Sequence, residues 1–167
     1  MSKEEDLRLR RGEVMNNGWV PPEIMEDRAT RGVCCRCEGE LFQDNPTYCE
    51  EHWFKSRAAR HLGNPEKGPE LKALWDAQNG QCAYTGWELK AGTNASLDHI
   101  LPQAKRPTLV HEITNVEWVH CAVNAAKADM MPSEFISFCQ LVVEHKGEKT
   151  PTPQRKAIDL NTGKCAG

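Results

Sequence analysis

The sequence has no long apolar run, no leader-like start and no surplus of basic charge, and each absence removes a class of protein. Its most apolar stretch, Phe135–Val143, is interrupted by Ser137 and Gln140 and falls well short of the roughly 20 residues a membrane-spanning helix needs. The opening MSKEEDLRLRRGE contains no apolar core of the kind a secretory leader carries, so a soluble, cytoplasmic protein is expected. Lys and Arg number 21 against 24 Asp and Glu, a net charge of −3. Nucleic-acid binding therefore has no global electrostatic case, and any such case must be local. Eight cysteines in 167 residues are too few for a disulfide-stapled scaffold, and there are no internal repeats. What is there looks globular. Apolar content of 39% and charged content of 27% exclude wholesale disorder, and the length suits one ordinary domain or two small units.

Residues 1–30 begin with mixed charge, and Asn16-Asn17-Gly18 and Pro21-Pro22 are expected to break any helix, leaving a partly ordered arm. Residues 31–68 hold a cysteine cluster and then a basic stretch, Lys55, Arg57, Arg60, His61 and Lys67 against Glu66, read as a linker helix and a loop. Pro69 opens a short helix with Leu71, Leu74 and Trp75 on one face, stopped by Asn79-Gly80. From residue 81 to 101, short apolar pieces separated by turns predict a hairpin. A loop from Pro102 to Ile113, a strand Asn115–Val119 and a helix Cys121–Met130 follow. Ser133 is a good N-cap for a last helix with Phe135, Ile136, Cys139, Val142 and Val143 on one face, and residues 147–167 read as a flexible tail. Trp75, Trp87 and Trp118 are expected in the core, with Glu112 and Glu117 solvated.

The cysteines are unevenly placed. Cys34-x-x-Cys37, an eleven-residue spacer and Cys49-x-x-His52 offer soft thiolates and an imidazole in two short pairs, as a tetrahedral structural Zn²⁺ requires. Gly39 suits the turn, and Cys35 is a competing ligand. Such a metal would substitute for a core in a unit too small to fold alone.

A second constellation carries harder chemistry. Asp98-His99 lies inside an apolar run (Ala95, Leu97, Ile100, Leu101) where a strand would ordinarily place hydrophobes. Adjacent strand residues point to opposite faces, so the pair cannot share one job. Downstream, Asn124 and Lys127 stand three apart on one helical face. A carboxylate and an amide oxygen together suit Mg²⁺ or a similar hard ion, and an imidazole nearby can take a proton from water.

These pieces resemble the HNH endonucleases with a ββα-metal core. The resemblance covers residues 69–140, a little under half the chain, and rests on Gln81–Gly86, Asp98-His99-Ile100 with Pro102, Asn115–His120, Asn124–Lys127 and the Pro132–Phe135 helix start. It implies an α+β protein in which residues 69–146 form a ββα-metal nuclease core with flanking helices, joined to a small N-terminal zinc-binding module. By the same resemblance Asp98 and Asn124 would hold one catalytic Mg²⁺ or Mn²⁺, and His99 would activate water. Asn115 would orient the loop and the base. Lys127 would contact phosphate or brace the helix, and Lys105 and Arg106 would border the DNA cleft. Many relatives also carry zinc on two Cys pairs in this core; here those positions are Cys82, Thr85, His120 and Val123, so no core zinc is expected.

The implied activity is metal-dependent hydrolysis of DNA phosphodiesters, by nicking or double-strand cleavage, in a bacterial or phage-infected cell. DNA is the implied partner, with no small-molecule cofactor. The rivals are a non-catalytic zinc-stabilised DNA-binding or adaptor protein on a nuclease fold, and an RNA-directed or structure-specific nuclease.

Overall fold

Pro22, expected to break a helix, starts one. At the first helical position its missing N–H leaves no bond unmade, and its fixed φ suits the turn. Helix α1 spans Pro22–Thr30. The computed structural model describes residues 20–147; most of the expected arm, the expected tail and Cys165 lie outside the described residues. Arg28 fixes α1 to the cysteine loop. Its side chain is 3% exposed, donates to the Cys35 carbonyl at 3.0 Å and pairs with Glu38 at 3.1 Å.

The stretch read as a linker is a core element. Helix α2, Glu50–Leu62, buries Trp53, Phe54, Ala58 and Leu62 along one side and turns off at Gly63, whose left-handed φ of +67° favours glycine. Helix α3, Gly68–Ala77, buries Leu71 and Trp75. Gly68 sits so close to α2 that a Cβ there would lie 3.0 Å from the Lys55 backbone nitrogen.

The expected hairpin over 81–101 reduces to a single bridge, Gln81 with Glu88, around a tight turn. Its C-terminal part is instead strand β1, Ala95–His99, which pairs antiparallel with β2, Val116–His120. The register sets Leu97 opposite Trp118, Asp98 opposite Glu117 and His99 opposite Val116. Helix α4, Cys121–Lys127, follows β2 directly; the His120 side chain caps it by accepting from the Ala122 N–H at 3.1 Å. Helix α5 runs Pro132–Gly147. The described residues thus form an α+β arrangement of five α-helices and one two-stranded sheet.

One aromatic cluster joins these parts. Trp53 of α2 stacks on Trp118 of β2 at 5.0 Å, and Trp75 of α3 meets both edge-on at 5.5 and 5.2 Å. Trp87 is the exception among the expected core tryptophans: it lies at the surface, edge-on to His120 at 5.2 Å. On α5 only Phe135 of the expected apolar face is buried; Ile136, Cys139, Val142 and Val143 are exposed. Among the described residues, no helix is long and apolar enough to cross a membrane.

Candidate metal centre and candidate active site

Cys34, Cys37, Cys49 and His52 are placed to hold a metal ion. The three sulfurs and one ring nitrogen of His52 all lie within 4.8 Å of one another. Cys37 and Cys49 sulfurs are 3.6 Å apart, and His52 Nδ1 lies 3.7 Å from Cys34 and 3.2 Å from Cys49. A tetrahedral ion with bonds of about 2.3 Å to sulfur requires S···S separations near 3.8 Å, so the donor set fits. Local chemistry builds the two grips. The Cys34–Gly39 turn closes through Glu38 N to Cys34 O at 3.0 Å and Cys34 N to Gly39 O at 2.9 Å, with Glu38 at φ +62°. The second pair sits at the start of α2, which orients His52. Cys35 is not part of the cluster; it is buried, its N–H bonded to Thr47 O at 2.9 Å. Burial pushes the Cys49 thiol up to about 12 and the Cys35 thiol up, whereas at Cys34 backbone N–H donors outweigh burial and hold the thiol below its usual range. Burial also lowers His52, favouring the neutral imidazole that a metal needs.

The second site lies where β1 ends against α4. Ser96 and Asp98 share a strand face. Asn124 Nδ2 donates to Ser96 Oγ at 2.8 Å, and Lys127 Nζ stands 2.9 Å from Asp98 Oδ2, so two parallel contacts set α4 across that face. With its nitrogen engaged by Ser96, the Asn124 amide has its oxygen left to offer. Asp98 is 7% exposed, and its Oδ2 has the Lys127 charge beside it but no hydrogen bond. Asp98 and Asn124 therefore both border the contact between β1 and α4, with the Lys127 ammonium beside the Asp98 carboxylate.

His99 points to the other face. Its Nε2 lies 2.9 Å from the Val110 carbonyl. A carbonyl only accepts, so Nε2 carries the proton and Nδ1 presents the lone pair of a base. The Gln103 amide nitrogen lies 3.2 Å from Nδ1 and 3.3 Å from Nε2. Asn115, buried, fixes the loop that supplies Val110: it accepts from Leu101 N at 2.9 Å and donates to Leu101 O at 3.1 Å and Leu109 O at 3.3 Å.

Lys127 is wholly buried, its ammonium held between Asp98 and the His99 carbonyl at 2.9 Å. It cannot reach an external phosphate, so of its two expected roles only the bracing one fits. Lys105 is exposed and paired with Glu134 at 2.7 Å, and Arg106 donates to the Lys105 carbonyl at 3.2 Å. Glu117, expected in solvent, is half-buried beside Asp98 with Oε1 lacking a partner. Burial, helped by the Asp98 charge, holds its carboxyl above the usual range, and burial with Glu117 raises the Tyr84 phenol. His61, which carries no signal in the sequence, has its ring 6.4 Å from that of His99. Thirty-eight positions separate the two, and no local pattern could have joined them.

No protein-family model matches the chain, and no characterised protein matches it in sequence.

Proposed function

We propose that this protein is a metal-dependent HNH-type endonuclease hydrolysing DNA phosphodiester bonds, braced by a structural zinc ion on Cys34, Cys37, Cys49 and His52. The observation that carries the reading is a fixed-tautomer imidazole adjacent, at one strand end, to a buried carboxylate. His99 Nε2 is locked on Val110 O, while α4 crosses the strand face that carries Asp98 through the Asn124–Ser96 and Lys127–Asp98 contacts. In hydrolysis a water oxygen bonds to phosphorus and the P–O3′ bond breaks, leaving a 5′-phosphate and a 3′-hydroxyl. His99 Nδ1 accepts the water proton. Gln103 must first leave that nitrogen; its side chain is exposed, so the movement displaces no core packing. Asn115 holds the Leu101–Leu109 loop and through it the Val110 carbonyl, keeping the base in one tautomer. A divalent cation bound by Asp98 and Asn124 would supply positive charge for the phosphate and for the departing oxygen.

The test is an end-labelled DNA duplex incubated with Mg²⁺ or Mn²⁺. Fragments bearing 5′-phosphate and 3′-hydroxyl termini, absent when no divalent ion is added, support the reading; intact duplex under all conditions overturns it. For the zinc ion, elemental analysis should find about one per chain in the wild type and none in Cys37→Ser.

One observation favours a second reading. The Lys127 ammonium already neutralises Asp98, which is how a retired catalytic site on a DNA-binding protein would be stabilised. Duplex binding without cleavage would select that reading.

A further inference from the structure

Helix α2 carries a charge pattern that the site described above does not use. Its N-terminal acids are matched: Glu51 pairs with Lys55 at 2.7 Å and Glu50 with Lys72 at 3.5 Å. At its other end Arg57 and Arg60 have no carboxylate partner among the described residues. Arg57 is half-buried with its guanidinium over the Trp53 ring, 5.6 Å from the centroid. His61, one turn further, faces His99 at 6.4 Å. On the adjoining side Arg60 lines a groove of about 700 Å³ shared with Arg36, Tyr48, His52 and Lys55. Cations therefore run from the metal centre, across the C-terminal half of α2, to the imidazole of the candidate base.

Two unpaired cations one turn apart are costly here, because burial desolvates Arg57 and the neighbouring Arg60 repels it. The same surroundings push the His61 imidazole down to about 4, through burial first and then Arg57, His99 and Arg60. An anion held between Arg57 and Arg60, at the edge of the groove that Arg60 lines, would offset the repulsion between them. Arg is suited to this task, since its planar fork grips phosphate oxygens in pairs.

We propose that Arg57 and Arg60 form the phosphate grip that seats a DNA strand beside His99, so that the metal-bound N-terminal segment supplies the charge that binds substrate. The grip deepens the nuclease reading and rests on it for its location, but its own test needs no cleavage. It also accounts for a net charge of −3 in a DNA-binding protein: the basic surface is local, and the acids lie elsewhere.

The experiment is fluorescence anisotropy of a labelled DNA duplex with the full-length, zinc-loaded protein, without added Mg²⁺, across a NaCl series. Taking away one phosphate-bound cation lowers the slope of log K against log salt by about one. Arg60→Gln should therefore reduce it by about one and Arg57→Gln/Arg60→Gln by about two, with affinity down about tenfold or more. Lys72→Gln, which removes a cation already matched by Glu50 and Asp76, should leave the slope unchanged. Melting temperature and zinc content verify that each variant is folded; should the Arg57 change unfold the protein, the exposed Arg60 carries the test alone. An unchanged slope in folded Arg60→Gln and in the folded double variant, or no salt-dependent binding by the wild type, overturns the grip. Wild-type cleavage is recorded in parallel. Binding that depends on these arginines without any cleavage refutes the nuclease reading and upholds the grip; cleavage with an unchanged slope does the reverse.

Discussion

Replacing Lys127 with Met removes one buried charge and keeps the unbranched stem, so packing around the site is largely preserved. Lys127 is 0% exposed, and its Nζ stands 2.9 Å from Asp98 Oδ2 and 2.9 Å from the His99 carbonyl. At that separation and an effective dielectric near 20 the Coulomb attraction is about 6 kcal/mol, most of it offset in the native protein by the desolvation of both ions. Removing one partner leaves the desolvation of Asp98 uncompensated, which costs about 3–5 kcal/mol. For a chain of this size that is a fall in Tm of about 10 °C. The metal reading adds a second expectation. A divalent ion ligated by Asp98 supplies the missing positive charge, so Mg²⁺ or Mn²⁺ at millimolar concentration should restore several degrees to Lys127→Met and far fewer to the wild type. The assay is thermal unfolding of both proteins, zinc-loaded, with and without the added ion. A loss under about 1 kcal/mol, the upper range of an exposed pair, would refute the buried ion pair. Equal metal-induced shifts in both proteins would refute Asp98 as a ligand.

Three further outcomes are expected. Asn115→Ala removes the acceptor of the Leu101 N–H and the donor to two carbonyls, so urea titration should show a loss of about 2–3 kcal/mol, and ¹⁵N spectra of His99 should show a mixed tautomer where the wild type has one. Gly92→Ala places a Cβ 2.6 Å from the Asn45 Cα at a φ of +82°, which should cost about 2 kcal/mol or more by strain and backbone displacement. Because Asn45 belongs to the cysteine loop and Gly92 to the turn before β1, weakened metal retention should accompany that loss under mild chelation. His61 titrates near 4 in the fold against an ordinary 6.5, so the unfolded chain binds the extra proton between these values and stability falls as pH drops from 6.5 to 4. The full linkage is about 3 kcal/mol, reduced to about 1–2 by solvent screening of a half-buried ring. His61→Asn should flatten that part of the pH–stability curve, and an unchanged curve contradicts the placement of His61 beside Arg57, Arg60 and His99.

The metal centre is legible in the sequence because its ligands sit in two short local pairs, and two-residue spacings determine geometry almost by themselves. Asp98, His99, Asn115, Asn124 and Lys127 can be named in order from the chain. Their contacts cannot, because the Lys127–Asp98 pair and the His99–Val110 bond close over loops whose path no local pattern sets. Helix α2 misleads for a different reason. Trp53, Phe54, Ala58 and Leu62 do carry a helical apolar stripe, but the basic residues between them suggest a solvated linker. Long cationic side chains can extend past an apolar stripe to solvent, and α2 does both at once. At Pro22 the signal has two signs, since proline opens a helix as readily as it breaks one. Residue type alone assigns Glu117 to solvent, and only the pairing of β1 with β2 puts it against Asp98.

The measurement that tests the central claim most directly is the conversion of supercoiled plasmid by purified zinc-loaded protein in Mg²⁺ or Mn²⁺, wild type beside His99→Ala. The account predicts nicked or linear DNA with the wild type and a loss of about 10²-fold or more in rate when the base is removed. Equal cleavage by both proteins, or none by the wild type, would contradict it.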